Sequence, residues 1–194
     1  MKLVYLDTET TGLNVSGNIV QLSYLIENGN GPSGVENIYM DASYIEEQAS
    51  EVTGLTIDKI HTLSGGKKFN EFAGQIYTDI EDAVIIGHNS SFDVRFLKEE
   101  FRRCGVTFKP KKVACTMEVM RDIIKLPRKH GGGYKNPKLS DVLEYLEISE
   151  KDVERFTQAV FKTNESVSAH DSRYDAIAVY LICKKLRRLG INVV

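Results

Sequence analysis

KLVYLDTE, residues 2–9, decides the fold: it is a short apolar run that turns acidic at its end, as a strand does when it leaves a core carrying polar side chains. NIVQLSYLIENG (18–29) alternates and runs into an Asn-Gly-Asn-Gly turn, and GVENIYMDA (34–42) follows. Runs of this kind, parted by a Gly/Asn/Pro/Ser cluster, predict antiparallel hairpins. The period then changes. In KKFNEFAGQIYTDIED (67–82) the apolar residues Phe69, Phe72, Ala73, Ile76, Tyr77 and Ile80 fall at steps of three and four, which predicts an amphipathic helix. AVIIG (83–87) is apolar on both faces and reads as a central strand of a covered sheet. A second helix is expected from Phe92 to about Arg103, stopped by Gly105, and VACT (113–116) as the last strand before a largely helical remainder. PRKHGGGYKNP (127–137) is the most loop-like stretch, and its three glycines imply mobility. Three antiparallel strands followed by alternating helix and strand describe a mixed α/β sheet with helices on both faces.

The 194 residues, 42% apolar and 27% charged with 15 glycines and 4 prolines, suit one soluble globular domain and would crowd two. At this size about 70% of the unfolded surface can be buried without disulfides or a structural metal. Cys104, Cys115 and Cys183 are odd in number and form no CxxC pair, which excludes a zinc ribbon and a secreted disulfide scaffold and implies a reducing compartment. No apolar run approaches the length of a membrane span, and Asp7 and Glu9 come too early for a signal peptide, so a cytoplasmic protein is expected. The formal charge of −2 hides an asymmetry: Lys98 to Lys138 holds twelve Lys/Arg against four Asp/Glu, or +8, leaving −10 for the rest. This fits a protein that holds a polyanion with one region and keeps an acidic cluster in another; a solvated basic face is the alternative.

Three groups carry candidate chemistry. Asp7 and Glu9, two apart on a strand, share a face with Cα atoms about 6.5 Å apart and can converge on one hard cation; an exposed polar strand end is the competing reading. Thr10, Thr11 and Gly12 follow as a tight turn that would let a substrate backbone approach. Asp93, in IIGHNSSFDVRFL (85–97), falls in the first turn of a helix, where it would also complement the helix dipole behind a Ser90 or Ser91 cap. Both groups lie at carboxyl ends of strands, where sites of open α/β sheets sit. His170 and Asp175, five apart in AHDSRYDAIAVYLICKKL, open a helix apolar nearly all round, which should run through the core. Its competing reading is a capping box from Ser172 to Asp175.

Together the motifs D-x-E-T-T-G at 7, H-N-x-x-F-D at 88 and H-D-x-x-x-D-A at 170 resemble those of the DEDDh, or DnaQ-like, 3′–5′ exonucleases, typified by the epsilon subunit of bacterial DNA polymerase III. The resemblance runs from Leu3 to about Leu186, with VTGLT (52–56), Cys115-Thr116 and KLSDVLEYLEI (138–148) as lesser correspondences, and the step from His170 to Asp175 matches the histidine subclass. It implies a ribonuclease-H-like fold, two divalent cations held by Asp7, Glu9, Asp93 and Asp175, and His170 as general base.

The chemistry agrees with that assignment. Hydrolysing an anionic phosphodiester needs a cation that neutralises developing charge and acidifies the attacking water. Four carboxylates without cysteine suit Mg²⁺ or Mn²⁺. Asp7 is expected to bridge two ions about 4 Å apart, with Glu9 and Asp175 on the one that holds the water. An imidazole is suited to take that water's proton near neutral pH.

The resemblance further implies that Thr10, Thr11, Gly12 and Leu13 meet the terminal nucleotide, Leu13 wedging near the base, and that Asn89 and Phe92 line the pocket. Leu13 and Phe92 read equally as core residues. Stacking and backbone contacts would bind single strands with little sequence preference, and the basic stretch, with Arg128, Lys129 and Lys135, would follow the phosphates. About twenty residues, 149–169, exceed the connection of many relatives and should contain a helix from Glu150 to about Phe161. The chain stops eight residues after Leu186, so a polymerase-binding tail is not expected in it, while association with a polymerase stays open. The expected activity is a metal-dependent 3′–5′ exonuclease on single-stranded or frayed DNA, releasing 5′-mononucleotides, with a proofreading or repair role. The alternatives are an exoribonuclease of the tRNA-trimming or oligoribonuclease kind and a non-catalytic nucleic-acid-binding module.

Overall fold

A computed structural model describes residues 1–29 and 31–194. Five strands form one sheet: β1 (Lys2–Thr10), β2 (Ile19–Asn28), β3 (Pro32–Tyr39), β4 (Val84–Gly87) and β5 (Lys112–Cys115), in the order β3-β2-β1-β4-β5. β1 to β3 pair antiparallel, and β4 runs parallel to both β1 and β5. This is the expected mixed sheet. The Asn-Gly-Asn-Gly turn between β2 and β3 includes Asn30, which lies outside the described residues.

Strand alternation divides the core. Val4 and Leu6 face α3 (Phe69–Ile80) and α4 (Ser90–Arg103), in a cluster with Ile76, Phe96 and Phe101. Tyr5 faces the other way, into a cluster built from α5 (Thr116–Ile124), α6 (Leu139–Tyr145), α7 (Glu150–Phe161) and α8 (Ser172–Arg188). Helices therefore cover both faces. α8 buries Ala176, Ile177, Ala178, Val179 and eight further residues of its length, as a helix that runs through the core must. Its C-terminal end is tied to β2 by Arg187, which donates to both carboxylate oxygens of Glu27 at 3.1 and 2.8 Å.

Two short helices, α1 (Glu47–Thr53) and α2 (Ile57–Ser64), cover the end of the sheet between β3 and α3. Neither Ser90 nor Ser91 caps α4: the helix starts at Ser90, and Asn89 flanks it in the left-handed region (φ 71°) with no side-chain cap. The Ser172–Asp175 capping box does not form either, because Asp171 caps α8, accepting from the Arg173 amide. Among the described residues no helix is long and apolar enough to cross a membrane.

Candidate active site

The alternation that buries Tyr5 puts Asp7 and Glu9 on the same face, where β1 outruns β4 and a bulge follows Glu9. The first turn of α8 brings Asp175 to them. Carboxylate oxygens of Asp7, Glu9 and Asp175 lie within 4.8 Å of one another. One Asp175 oxygen, Oδ2, accepts from the His170 amide at 3.1 Å. The other, Oδ1, is buried and has no hydrogen-bond partner among the described residues.

Asp93 approaches from the opposite face and stands outside this trio. Thr8, whose side chain points away from those of Asp7 and Glu9, donates to Asp93 Oδ1 from its amide (3.0 Å) and its hydroxyl (2.7 Å). The four carboxyls are crowded enough to perturb each other. Removal from water, then the charges of Asp93, Asp175 and Glu9, push Asp7 well above the usual carboxylate range. Burial, then Asp175, Asp171 and Asp93, raise Glu9 to about 9. Burial lifts Asp93 and Asp175 to about 7 against the hydrogen bonds from Thr8 and from the His170 amide.

Asp7, Glu9 and Asp175 open on a cavity of about 410 Å³, whose lining does not include Asp93. Its wall includes His170, which is exposed and held at a left-handed φ of 68°. Thr10, Gly12, Leu13, Asn89 and Phe92 line it too. Leu13 is 74% exposed and so is not a core residue. Phe92 is half-buried, packed on Phe96 at 4.9 Å with the Arg95 guanidinium 5.5 Å from its ring centre. Thr11 does not reach the cavity. It is fully buried and builds the turn, with its hydroxyl accepting from the Asn18 amide and its carbonyl accepting from the Glu46 amide.

The remaining wall was not anticipated from the sequence. Glu46, Gln48, Ala49, Val52 and Thr53, on and just before α1, close the side across from Phe92 and Asn89. Gly12 lies against this wall: a Cβ there would fall 2.2 Å from the Glu46 carboxyl carbon, so the Glu46 side chain would have to swing aside. His88 lies behind the wall. Its ring bridges Thr116 Oγ1 (3.0 Å) and the Pro137 carbonyl (3.1 Å), and burial holds its pKa below the usual imidazole value.

Comparison with known proteins gives the same picture. Over 116 residues, 59% of this chain, it is 31% identical to the 3′–5′ exonuclease DinG of Staphylococcus haemolyticus. Over 70 residues, 36% of the chain, it is 47% identical to DinG of Staphylococcus epidermidis. These stretches make up 13% and 8% of the two relatives, which are much longer proteins. Escherichia coli exonuclease I in complex with a dT13 oligonucleotide superposes over 97% of this chain and 42% of its own, with a TM-score of 0.72 and 18% identity. A zinc-bound complex of the same enzyme with single-stranded DNA gives a TM-score of 0.68 over 97% of this chain and 40% of its own, at 21% identity. At such identities the likeness is one of fold. The exonuclease family model RNase_T matches residues 4–182, nearly the whole chain, which therefore belongs to that family, as the resemblance to the DnaQ-like 3′–5′ exonucleases implies.

Proposed function

We propose that the chain is a divalent-metal-dependent 3′–5′ exonuclease that removes 5′-mononucleotides from the ends of single-stranded or frayed DNA. The convergence of Asp7, Glu9 and Asp175 within 4.8 Å, with one buried oxygen of Asp175 left unpartnered, carries this reading. Buried carboxylates so close, with no cation among them in the protein itself, are costly unless a metal joins them. All donors are hard oxygens, which fits Mg²⁺ or Mn²⁺.

Asp7, Glu9, Asp93 and Asp175 would hold two such ions, which when bound neutralise the phosphodiester and acidify the attacking water. Thr8 fixes the rotamer of Asp93, and the His170 amide fixes that of Asp175. His170, on the cavity wall, accepts the proton of the attacking water. Leu13, exposed at the rim, and Phe92 bracket the terminal base, while Thr10, Gly12 and Asn89 face its sugar. The exonuclease I structures solved with DNA oligonucleotides support DNA as the substrate class. We read residues 1–194 as one catalytic unit, with α7 and the loop after it added to the family framework.

Digestion of 5′-labelled DNA and RNA oligomers of one sequence, with Mg²⁺ or Mn²⁺ titrated against EDTA, tests this. A ladder shortening from the 3′ end of DNA is expected, abolished by EDTA and by Asp7→Ala and cut at least 100-fold by His170→Ala. Endonucleolytic fragments, or full activity in EDTA, would overturn the activity. Degradation of RNA alone would overturn the substrate assignment.

A further inference from the structure

We infer that Arg173 is a positioning residue for the general base: its guanidinium joins Glu165 to Asp171 across the loop segment that carries His170 and fixes the backbone from which the imidazole projects. The inference rests on the reading of His170 as the base. Arg173 lies in the first turn of α8 and is only 8% exposed, which is unusual for an arginine. Its donors are spent on two carboxylates. Nε and Nη2 donate to Asp171, at 3.0 Å to Oδ1 and 2.7 Å to Oδ2, and Nη1 donates to Glu165 Oε2 at 2.7 Å.

Those two residues bracket the His170 segment of the loop between α7 and α8. Glu165 opens that segment, four residues past the end of α7, and its carbonyl accepts from Gln158 of α7 at 3.1 Å. Asp171 ends it, next to His170, and its Oδ1 also accepts from the buried Gln21 of β2 at 3.1 Å. Between them, Val167 is buried in the core cluster under α8. His170 itself adopts φ 68°, a region that non-glycine residues leave unless neighbours hold them there. The holding contacts are the bond from its amide to Asp175 and the immobilised Asp171 beside it. The bidentate fork also neutralises Asp171, a fifth carboxylate whose charge bears on Asp7 and Glu9. A lysine offers no such fork.

Three variants of the full chain test the assignment: Arg173→Ala, Arg173→Lys and Glu165→Gln. Arg173→Ala is expected to lower kcat at least 10-fold while KM for a DNA oligomer stays within about two-fold, because base placement and not substrate binding is lost. Arg173→Lys should recover little of that loss. Glu165→Gln cuts one arm at an exposed residue and should fold normally, with kcat down about two- to three-fold. Amide hydrogen exchange of residues 162–171 in the same proteins reads the geometry without any turnover. Faster exchange there in Arg173→Ala, with β1 and β4 unchanged, is expected. Unchanged kcat in Arg173→Ala, or unchanged exchange of the loop, would overturn the proposal. Faster exchange in a protein whose parent shows no nuclease activity would instead locate the failure in the exonuclease reading. Full rescue by lysine would overturn the role given to the fork.

Discussion

Four carboxyls at the end of one sheet make folding of the metal-free protein dependent on pH in an uncommon direction. The ordinary values of 3.8 for Asp and 4.5 for Glu rise to about 7 for Asp93 and Asp175 and about 9 for Glu9, with Asp7 shifted the same way. Between these limits the folded state binds more protons than the unfolded one, so stability falls as pH rises from about 4 to about 9. Thermal unfolding in EDTA should therefore give a Tm at pH 8.5 below that at pH 5 by on the order of 5 °C, since one kcal/mol moves the Tm of a domain this size by roughly 2–4 °C. Added Mg²⁺ should restore most of the difference at pH 8.5 and little at pH 5, where protons already occupy the carboxyls. A Tm that climbs with pH in EDTA would contradict the crowding. By the same reasoning, Asp7→Asn removes a buried charge on which Asp93, Asp175 and Glu9 all bear. It should raise the metal-free Tm at pH 8 by a few degrees and abolish the Mg²⁺ response, while turnover drops at least 100-fold. A variant both inactive and less stable would show that Asp7 is held by something other than its neighbours' repulsion.

Among the elements, α1 stands out for what it lacks. It has seven residues, none of them buried, and no side-chain cap, yet it forms one wall of the cavity. Helices this short draw their stability from packing, and α1 has little to draw on. Its amides should exchange within seconds in the free protein, and a non-hydrolysed oligonucleotide should slow them at least 10-fold while α2, which buries Ile60, barely responds. Equal protection with and without the oligonucleotide would remove α1 from the binding wall. The same weakness explains why α1 was not legible in the sequence: EQASEVT carries no apolar stripe, whereas α3 and α7 were read nearly to the residue because their stripes face a core. Asp7, Glu9 and Asp175 were legible because strand parity and helix position dictate where they point. Their relation to Asp93 was not, because it passes through Thr8, a residue that parity alone puts on the other face. The left-handed turns at Asn89 and His170 were equally hidden, since neither residue is glycine. Arg173 stands in the polar first turn of α8, and only the loop's geometry gives it its partner Glu165.

Across the whole molecule, charge must solve a problem the site creates. An acidic cavity repels the polyanion it is meant to cut until cations fill it, so attraction has to come from elsewhere on the surface. The surplus of +8 between Lys98 and Lys138 can supply it, and part of that surplus is held close to the cavity. His88 fastens the Pro137 carbonyl at the base of the glycine loop, and Asn89, the next residue, lines the cavity. On that loop, Arg128 is steadied by its bond to the Tyr134 carbonyl, and Lys129 and Lys135 are exposed. If these three cations meet phosphates, replacing all three with alanine should raise KM for a DNA oligomer about 10-fold and leave kcat within about two-fold, because the reacting groups are untouched. Equilibrium binding gives the sharper measurement. Each phosphate contact to a single strand contributes roughly −0.7 to the slope of log K against log salt, so the triple variant should bind with a slope shallower by about 2. The titration is best made in an Asp7→Asn background, where bound oligomer survives. An unchanged slope would place the substrate's path elsewhere on the basic surface, whereas a shallower slope with normal kcat would tie the loop to the strand and not to the chemistry.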